Sequence, residues 1–385
     1  MRAVNSPPSA PPLPATPPPG TSLFLVNGLP AVYRSGTLSP LTPPHSLRDH
    51  TLTLSPDGKR VVGLVYASPS RQFFTWTHTL SDGTDRVAPI DVPSNVQYAI
   101  WSPDAEHFAT FVDVEQAENP VYVGDLAGHS WRAAVPGERI WWGLWRQPGE
   151  FTFISFVGES QPPVPQAVTV WSWTPPSAPR IAARITITRP SFDWSPDGTR
   201  LLYIGVAADN KTPVVKAIGR DDDRTMLESS AIVATRVGCV LAGHDVIFLA
   251  ANWSPDGTAI AVVGENQPQA NYFAAVTTPD APAVFLAPDS CYVSFIHWTG
   301  RGLVIPLYGP ECGATGDENR VALVDPLTAR ARADIVIGRK AFLGLSADGG
   351  WIVTARDGET QFVPTAEPDR RVRVPLTGFL GWCCA

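Results

Sequence analysis

Few residues of this 385-residue chain stand at the spacing that catalysis or metal binding requires. No Gly-x-Ser-x-Gly, Gly-x-x-x-x-Gly-Lys-Ser/Thr or His-Glu-x-x-His motif occurs, and the 7 histidines are scattered. The 5 cysteines include no Cys-x-x-Cys pair and no Cys/His metal spacing. Local motifs therefore predict neither an activated nucleophile nor a metal site, and no cofactor is expected.

Three polar residues at equivalent positions are the candidates for a ligand site. Asp193, Asn252 and His297 each precede the last residue of an apolar segment that recurs along the chain. A carboxylate, an amide and an imidazole can together bind a small ligand or water, or move protons. The alternative is that each side chain satisfies backbone groups of the neighbouring repeat, because buried polar groups are paired. The sequence leaves both interpretations open.

Two stretches that contain aspartate resemble functional motifs, but both are better explained as turns. Asp221-Asp222-Asp223 could hold a cation, yet it lacks the alternating ligand spacing of a calcium loop. Ser346-Ala347-Asp348-Gly349-Gly350-Trp351 resembles the aspartate box of sialidases, yet it falls at the repeat hairpin, where its counterparts are plain Ser-Pro-Asp-Gly turns. Both stretches are predicted to be solvated turns.

The element that positions these candidates is a repeated hairpin. Trp194-Ser195-Pro196-Asp197-Gly198 separates two apolar runs, and Trp253 to Gly257 has the same sequence. Proline pre-sets φ, aspartate hydrogen-bonds local amides, and glycine accepts a positive φ, so each copy predicts a tight turn. Close variants begin at Leu54, Trp101 and Leu345, and degenerate copies begin at Trp145 and Trp298.

The spacing of these copies predicts the fold class. They recur about every 45 to 60 residues, and each repeat contains a second polar turn, which indicates four strands per repeat and hence propeller blades. Residues 23–41 supply three further strands, and Gly378 to Trp382 supplies an isolated inner strand. We therefore predict an all-β propeller of eight four-stranded blades, closed by a mixed N- and C-terminal blade. The alternative is seven blades with the end segments packed outside.

The domain organisation follows from the same pattern. Residues 21–385 are predicted to form one propeller domain, and the Pro-rich residues 1–20 are predicted to be a disordered linker. Because a linker normally connects a domain to a preceding segment, the native chain could begin upstream with a lipid or membrane anchor.

The repeated Trp/Leu-Ser-Pro-Asp-Gly segment before an apolar strand resembles the TolB-like propeller repeat over nearly the whole chain beyond residue 20. That group includes periplasmic interaction proteins, sensor-associated lipoproteins and the propeller domains of some serine peptidases. The resemblance implies a binding scaffold. An α/β-hydrolase domain, which accompanies the peptidase propellers, is not expected in this chain.

The loops between second and third strands form a second candidate surface. It is predicted to collect aromatic and polar residues that could anchor a partner, namely Trp141, Trp142, Tyr308, Glu311 and His244. Trp141 and Trp142 could equally belong to the core. Cys291 and Cys312 should lie close together here, and a disulfide between them would imply an oxidising compartment.

The function predicted from these features is a non-catalytic binding or scaffold propeller. It would be a monomer outside the cytoplasm that engages a protein or cell-envelope component through its loop face; a cytoplasmic location is the alternative. The net charge of −7 and the lack of a basic run argue against nucleic acid. No apolar stretch of about 18 residues occurs, so membrane contact is expected only through a missing anchor. The alternative function is a propeller enzyme, of hydrolase or lyase type, that uses channel residues such as Asp193 and His297.

Overall fold

The computed structural model contains eight four-stranded antiparallel sheets arranged in a ring around a central channel. It describes residues 20–383 except for 45, 68–71, 91–95, 113–118, 159–164, 221, 234–244, 268–270, 278–281, 288–290, 294, 300–301, 310–318, 338–341, 347–349 and 357. Apart from Gly20, the predicted leader therefore lies outside the described residues. The prediction of an eight-bladed all-β propeller is confirmed.

Blades 1 to 4 each use four consecutive strands, counted from the channel outward. Blade 1 contains β4 (Ser46–Leu54), β5 (Arg60–Ala67), β6 (Gln72–Thr79) and β7 (Asp85–Ile90). Blade 2 contains β8 (Val96–Trp101), β9 (His107–Val112), β10 (Val121–Asp125) and β11 (Ser130–Ala133). Blade 3 contains β12 (Arg139–Gln147), β13 (Glu150–Phe156), β14 (Gln166–Trp173) and β15 (Arg180–Ile187). Blade 4 contains β16 (Arg189–Trp194), β17 (Leu201–Val206), β18 (Pro213–Ile218) and β19 (Asp223–Glu228).

Blades 5 to 7 follow the same plan after a one-turn helix, α1 (Ser229–Val233). Blade 5 contains β20 (Asp245–Trp253), β21 (Ile260–Gln267), β22 (Asn271–Val276) and β23 (Ala283–Leu286). Blade 6 contains β24 (His297–Thr299), β25 (Gly302–Leu307), β26 (Asn319–Val324) and β27 (Ala331–Ile337). Blade 7 contains β28 (Phe342–Leu345), β29 (Trp351–Arg356), β30 (Glu359–Pro364) and β31 (Val372–Val374).

Blade 8 joins the two ends of the chain. Its inner strand is β32 (Phe379–Cys383), and its outer strands are β1 (Thr21–Val26), β2 (Leu29–Arg34) and β3 (Thr37–Pro40). β1 pairs with β32 in antiparallel register, and the Leu25 amide donates to the Gly378 carbonyl at 2.7 Å. β32 also contacts the inner strands of blades 7 and 1, so the ring closes through hydrogen bonds.

Hydrogen bonds of its own serine and aspartate side chains stabilise the repeated turn. In blade 4 the Ser195 hydroxyl donates to Asp197 at 2.6 Å and accepts from the Arg200 amide at 2.9 Å. The Asp197 carboxylate also accepts from the Thr199 amide, and Gly198 has a φ of +66°. The same bonds recur at Ser55, Ser102 and Ser254. These polar residues therefore build the hairpins, as the turn chemistry predicts.

Blade 3 replaces this turn with an ion pair between the partly exposed Arg146 and the buried Glu150. The Glu150 carboxylate accepts from Arg146 at 2.9 Å, from Gln147 at 2.8 Å and from Ser172 at 2.6 Å. Arg146 also donates to the Gly198 carbonyl at 2.7 Å, and its guanidinium lies 4.8 Å from the ring centroid of Trp194. One side-chain pair thus fastens blade 3 to blade 4.

The core lies between blades rather than at one centre. Side chains of each sheet pack on the next sheet, as in the cluster that joins Ile204 and Val215 of blade 4 to Phe248 and Val262 of blade 5. Every sheet is covered on both faces in this way, which explains why stacked blades are stable when a single sheet is not.

Within the described residues, no helix is long and apolar enough to cross a membrane.

Candidate functional site

The candidate site begins where side chains of blade 4 reach the inner edge of blade 5. An inner strand has one edge without a partner strand, so its amides and carbonyls need other partners. Ser191 accepts from the Ala251 amide at 3.0 Å, and Asp193 accepts from the Trp253 amide at 2.7 Å. These two acceptors are two residues apart on β16 because alternate side chains of a strand share a face.

Asp193 and Asn252 contact each other in this arrangement. The Asn252 side chain hydrogen-bonds the Asp193 carboxylate. The Trp298 indole N–H donates to the backbone carbonyl of Asn252 at 3.3 Å. Burial raises the pKa of Asp193 to about 6, against the opposing effect of the hydrogen bonds from Trp253, Asn252 and Trp194. Asp193 therefore changes its charge within the physiological pH range.

His297 occupies the equivalent position in blade 6. Its ring lies 5.1 Å from the ring of Phe295 in an edge arrangement and stacks on Phe342 at 5.4 Å, measured between centroids. Burial lowers the pKa of this imidazole, so the ring is neutral near pH 7. A neutral imidazole has one donor and one acceptor nitrogen available for a bound molecule.

The three predicted residues therefore have different interactions in the structure. Asp193 satisfies a backbone amide of the next blade, as the structural alternative expects, and it also titrates near neutrality. Asn252 links Asp193 to the blade that carries His297. Within the described part of the chain, no group of three acidic, histidine or cysteine side chains could hold a metal ion.

The acidic turn at the outer side of blade 4 has protein partners. Asp222 pairs with Arg200 at 3.3 Å, and Asp223 accepts hydrogen bonds from Tyr203 at 3.0 Å and from Lys216 at 2.7 Å. Asp221 lies outside the described residues. Asp222 and Asp223 thus have side-chain partners within blade 4, and Asp223 is the first residue of β19.

The residues predicted for the loop face lie in two separate regions. Trp141 packs edge-on against Phe156 at 5.6 Å within the contact between blades 3 and 4, whereas Trp142 is 38% exposed. Tyr308 stacks on Tyr292 at 5.3 Å. Glu311 and His244 lie outside the described residues.

The cysteine prediction concerns the same face. Cys291 is buried and takes part in a disulfide. Cys312, its predicted partner, lies outside the described residues, so the pairing stays a prediction.

Sequence reasoning missed the residues that surround Tyr308. Tyr272, Tyr292 and Phe295 contact one another or Tyr308, and Phe295 connects this group to His297. The available signal was that Tyr272 follows the second strand of blade 5, while Tyr292 and Tyr308 flank the first two strands of blade 6. Those three chain positions meet at one end of two adjacent blades.

Comparison with known proteins supports the fold. No family model and no curated protein sequence matches the chain. A eukaryotic initiation factor structure matches over 95% of this chain and 98% of its own, with a TM-score of 0.57 and 12% identity. A prolyl endopeptidase matches over 86% of this chain and 51% of its own, with a TM-score of 0.54 and 13% identity. Dipeptidyl peptidase 4 of Porphyromonas gingivalis matches over 84% and 52%, with a TM-score of 0.52 and 11% identity.

The chain thus spans about half the length of the two peptidases that it matches. TolB of Acinetobacter baumannii is also a structural neighbour, with 11% identity and a TM-score of 0.42. At such identities these similarities establish the fold alone.

The comparisons nevertheless correct the functional prediction. The non-catalytic scaffold is wrong as the main interpretation, because a prolyl endopeptidase and a dipeptidyl peptidase are among the structural neighbours and a propeller of this type does not exclude catalysis. These neighbours agree better with the alternative, a propeller enzyme of hydrolase or lyase type. The physical reason for the error is that repeated turn residues report how blades are built and carry no information about chemistry.

Proposed function

We propose that this chain acts in peptide hydrolysis, as a hydrolase-type propeller whose channel takes the peptide and presents Asp193, Asn252 and His297 to it. The observation that carries the proposal is the placement of these three groups on three consecutive inner strands. The prolyl endopeptidase and dipeptidyl peptidase neighbours supply the reaction class.

The chemistry of the three groups suits a peptide. A peptide backbone offers one donor and one acceptor per residue. The Asn252 amide can match both, and the neutral His297 ring can accept from a peptide N–H or donate to its carbonyl. Asp193, with a pKa of about 6, can take up or release a proton near neutral pH, which peptide hydrolysis requires at the attacking water and at the leaving amine.

A turnover and binding screen tests this function. The purified chain is incubated with a fluorogenic peptide library, and cleavage is followed by fluorescence while binding is followed by anisotropy of labelled peptides. We expect a peptide class that is bound and cleaved, with turnover reduced at least about tenfold in Asp193→Asn and His297→Gln, as removal of acid–base groups does.

The matched control is Thr53→Val, which changes the equivalent position of blade 1. This variant should keep the activity of the unmodified chain. The proposal is wrong if no peptide is bound or cleaved by the folded protein, or if Asp193→Asn and His297→Gln behave like Thr53→Val.

A further inference from the structure

A cluster of tyrosines lies at the loop face where blades 5 and 6 meet. We call Tyr272, Tyr292 and Tyr308 the tyrosine cluster. The rings of Tyr272 and Tyr292 are 6.1 Å apart, and those of Tyr292 and Tyr308 stack at 5.3 Å with an interplanar angle of 26°. Three aromatic side chains from separate segments of the chain thus form one surface.

The backbone holds this surface in place. Tyr292 and Tyr308 form a β-bridge, in which the Tyr292 amide donates to the Tyr308 carbonyl at 2.7 Å and the reverse bond is 3.1 Å long. Cys291, the residue before Tyr292, is buried and disulfide-bonded. A ligand would therefore meet rings that are already ordered, which lowers the entropic cost of binding.

The cluster is open to solvent on one side. Tyr292 is 43% exposed, whereas Tyr33, Tyr122 and Tyr203 are buried. Stacking on Tyr308 covers part of the Tyr292 ring, and the remaining part is exposed. An aromatic ring that is ordered and half exposed is typical of a binding anchor.

The charge near the cluster favours a cation. Glu265, which is 8% exposed, is the cross-strand partner of Tyr272 and hydrogen-bonds its hydroxyl. The chain as a whole carries a net charge of −7. A carboxylate at the hydroxyl end of Tyr272, beside rings whose faces are themselves electronegative, attracts a positive group and disfavours an anionic one.

The hydroxyls of Tyr272 and Tyr308 keep their protons near neutral pH in this environment. Burial raises the pKa of Tyr308 to about 12, and burial together with Glu265 raises the pKa of Tyr272. Tyr272 and Tyr308 therefore remain neutral phenols near neutral pH, and their interaction with a cation does not depend on tyrosinate.

The chain already contains one contact of this kind. The Arg146 guanidinium lies 4.8 Å from the Trp194 ring centroid while Glu150 accepts a hydrogen bond from it. Arginine suits such a place better than lysine because its planar guanidinium stacks on a ring and reaches a carboxylate at the same time.

We propose that the tyrosine cluster with Glu265 is a subsite for an arginine side chain of the peptide. This inference rests on the proposed peptide-binding function. Aromatic contacts connect the subsite to the channel, because Tyr308 lies 6.3 Å from Phe295 and Phe295 lies 5.1 Å from His297. The arginine would thus stand a few residues from the peptide segment that meets His297.

Calorimetric titration with two blocked pentapeptides tests the subsite. The peptides differ only in carrying arginine or citrulline, which keeps the shape but removes the charge. We expect the arginine peptide to bind at least about fivefold more tightly, the range of a cation–π contact assisted by a carboxylate. Tyr292→Ala and Glu265→Gln should each abolish this preference, and Tyr292→Phe should keep it because the ring is retained.

The control is Leu327→Ala, a substitution of an exposed side chain in the turn that follows β26. It should leave the preference for arginine unchanged. Equal affinity for arginine and citrulline peptides, or an unchanged preference in Tyr292→Ala, would overturn the proposal. Binding of neutral oligosaccharides that is lost in Tyr292→Ala, without any arginine preference, would overturn it in favour of a sugar site.

A third probe separates this inference from the proposed function. N-acetyl-arginine amide is too short to reach the channel and should bind weakly to the cluster alone. If it binds and Tyr292→Ala removes the binding, the subsite is supported even where no peptide is cleaved. If peptides are cleaved but arginine gives no advantage, the proposed function stands and the subsite does not.

Discussion

The Asp193 carboxylate accepts a hydrogen bond of 2.7 Å from the backbone amide of Trp253, across the boundary between blades 4 and 5. This bond joins two inner strands that have no backbone pairing with each other. It also holds a partly buried carboxylate on an inner strand, where desolvation raises its pKa to about 6. Asp193 therefore both links two blades and carries a carboxyl group whose pKa lies near neutrality.

The first prediction concerns the pH dependence of stability. Asp193 has a pKa of about 6 in the folded chain against an ordinary value of 3.8, so the folded state binds this proton more tightly than the unfolded state. Stability from this group is present at low pH and is lost as the pH rises through 6, by up to about 3 kcal/mol. Urea unfolding of the unmodified chain and Asp193→Asn, from pH 4.5 to 7.5, measures the difference.

Asp193→Asn isolates this effect from that of His297. The pKa of His297 is lowered by burial, so its contribution has the opposite sign and is lost as the pH falls below the ordinary value of 6.5. Both proteins contain His297, and the difference between their unfolding free energies therefore reports Asp193. A difference that stays constant across this pH range would contradict the assignment.

The second prediction concerns the repeated turn. Ser254→Ala removes a buried hydroxyl that donates to Asp256 and accepts from the Ala259 amide. We expect a loss of about 1 to 2 kcal/mol in the free energy of unfolding, because the amide loses its partner. Thr258→Ala is the control, since its hydroxyl is exposed and the Thr258 amide still reaches Asp256. Denaturant unfolding measures both, and an equal loss in the two variants would count against the closed-turn interpretation.

The third prediction concerns the ion pair that joins blades 3 and 4. Glu150→Gln and Arg146→Met should each cost about 2 kcal/mol, because each leaves a charged partner without its counterpart. The double variant should lose less than the sum of the two, and the coupling energy follows from a double-mutant cycle. Strictly additive losses would show that the pair does not act as a unit.

The fourth prediction concerns ring closure. Gly378 has a φ of +76°, and a Cβ there would lie 2.3 Å from the Leu25 carbonyl oxygen. Gly378→Ala should therefore weaken the pairing of β1 with β32. Gly28→Ala is a matched control with a φ of +79° and no atom within 4 Å of the new Cβ, so it carries only the backbone cost of about 1 kcal/mol.

Thermal unfolding of both glycine variants separates the two costs. We expect the larger loss in Gly378→Ala, accompanied by faster hydrogen exchange at the β1 amides. Equal losses would mean that closure does not depend on close approach at Gly378.

The fifth prediction concerns the disulfide at Cys291. Peptide mapping of non-reduced protein by mass spectrometry should recover Cys291 linked to Cys312. Cys312→Ser should release a free Cys291 thiol, and it should weaken binding to the tyrosine cluster because Tyr292 loses a constraint. A link from Cys291 to another cysteine would disprove the pairing.

Much of the fold could be predicted because hairpin turns are local. Ser195, Asp197 and Gly198 bond within their own turn, so their types and order encode it without reference to the rest of the chain. Counting such turns predicted seven blades directly. The eighth followed because β32 lacked partners near the C-terminus and β1 to β3 lacked an inner strand.

The site could be predicted only in part. Asp193, Asn252 and His297 were found because three polar residues occupy the same repeat position in three consecutive blades. Their protonation could not be predicted, since it depends on burial and on amides of the next blade.

The sequence by itself determined the blade, its turns and the number of repeats, because these depend on contacts between residues close in the chain. Only the tertiary structure decided that Tyr272, Tyr292 and Tyr308 form one surface with Glu265 and that Asp193 caps the edge of another blade. These relationships join residues on separate blades, and the distance between blades is set by packing in three dimensions rather than by spacing along the chain.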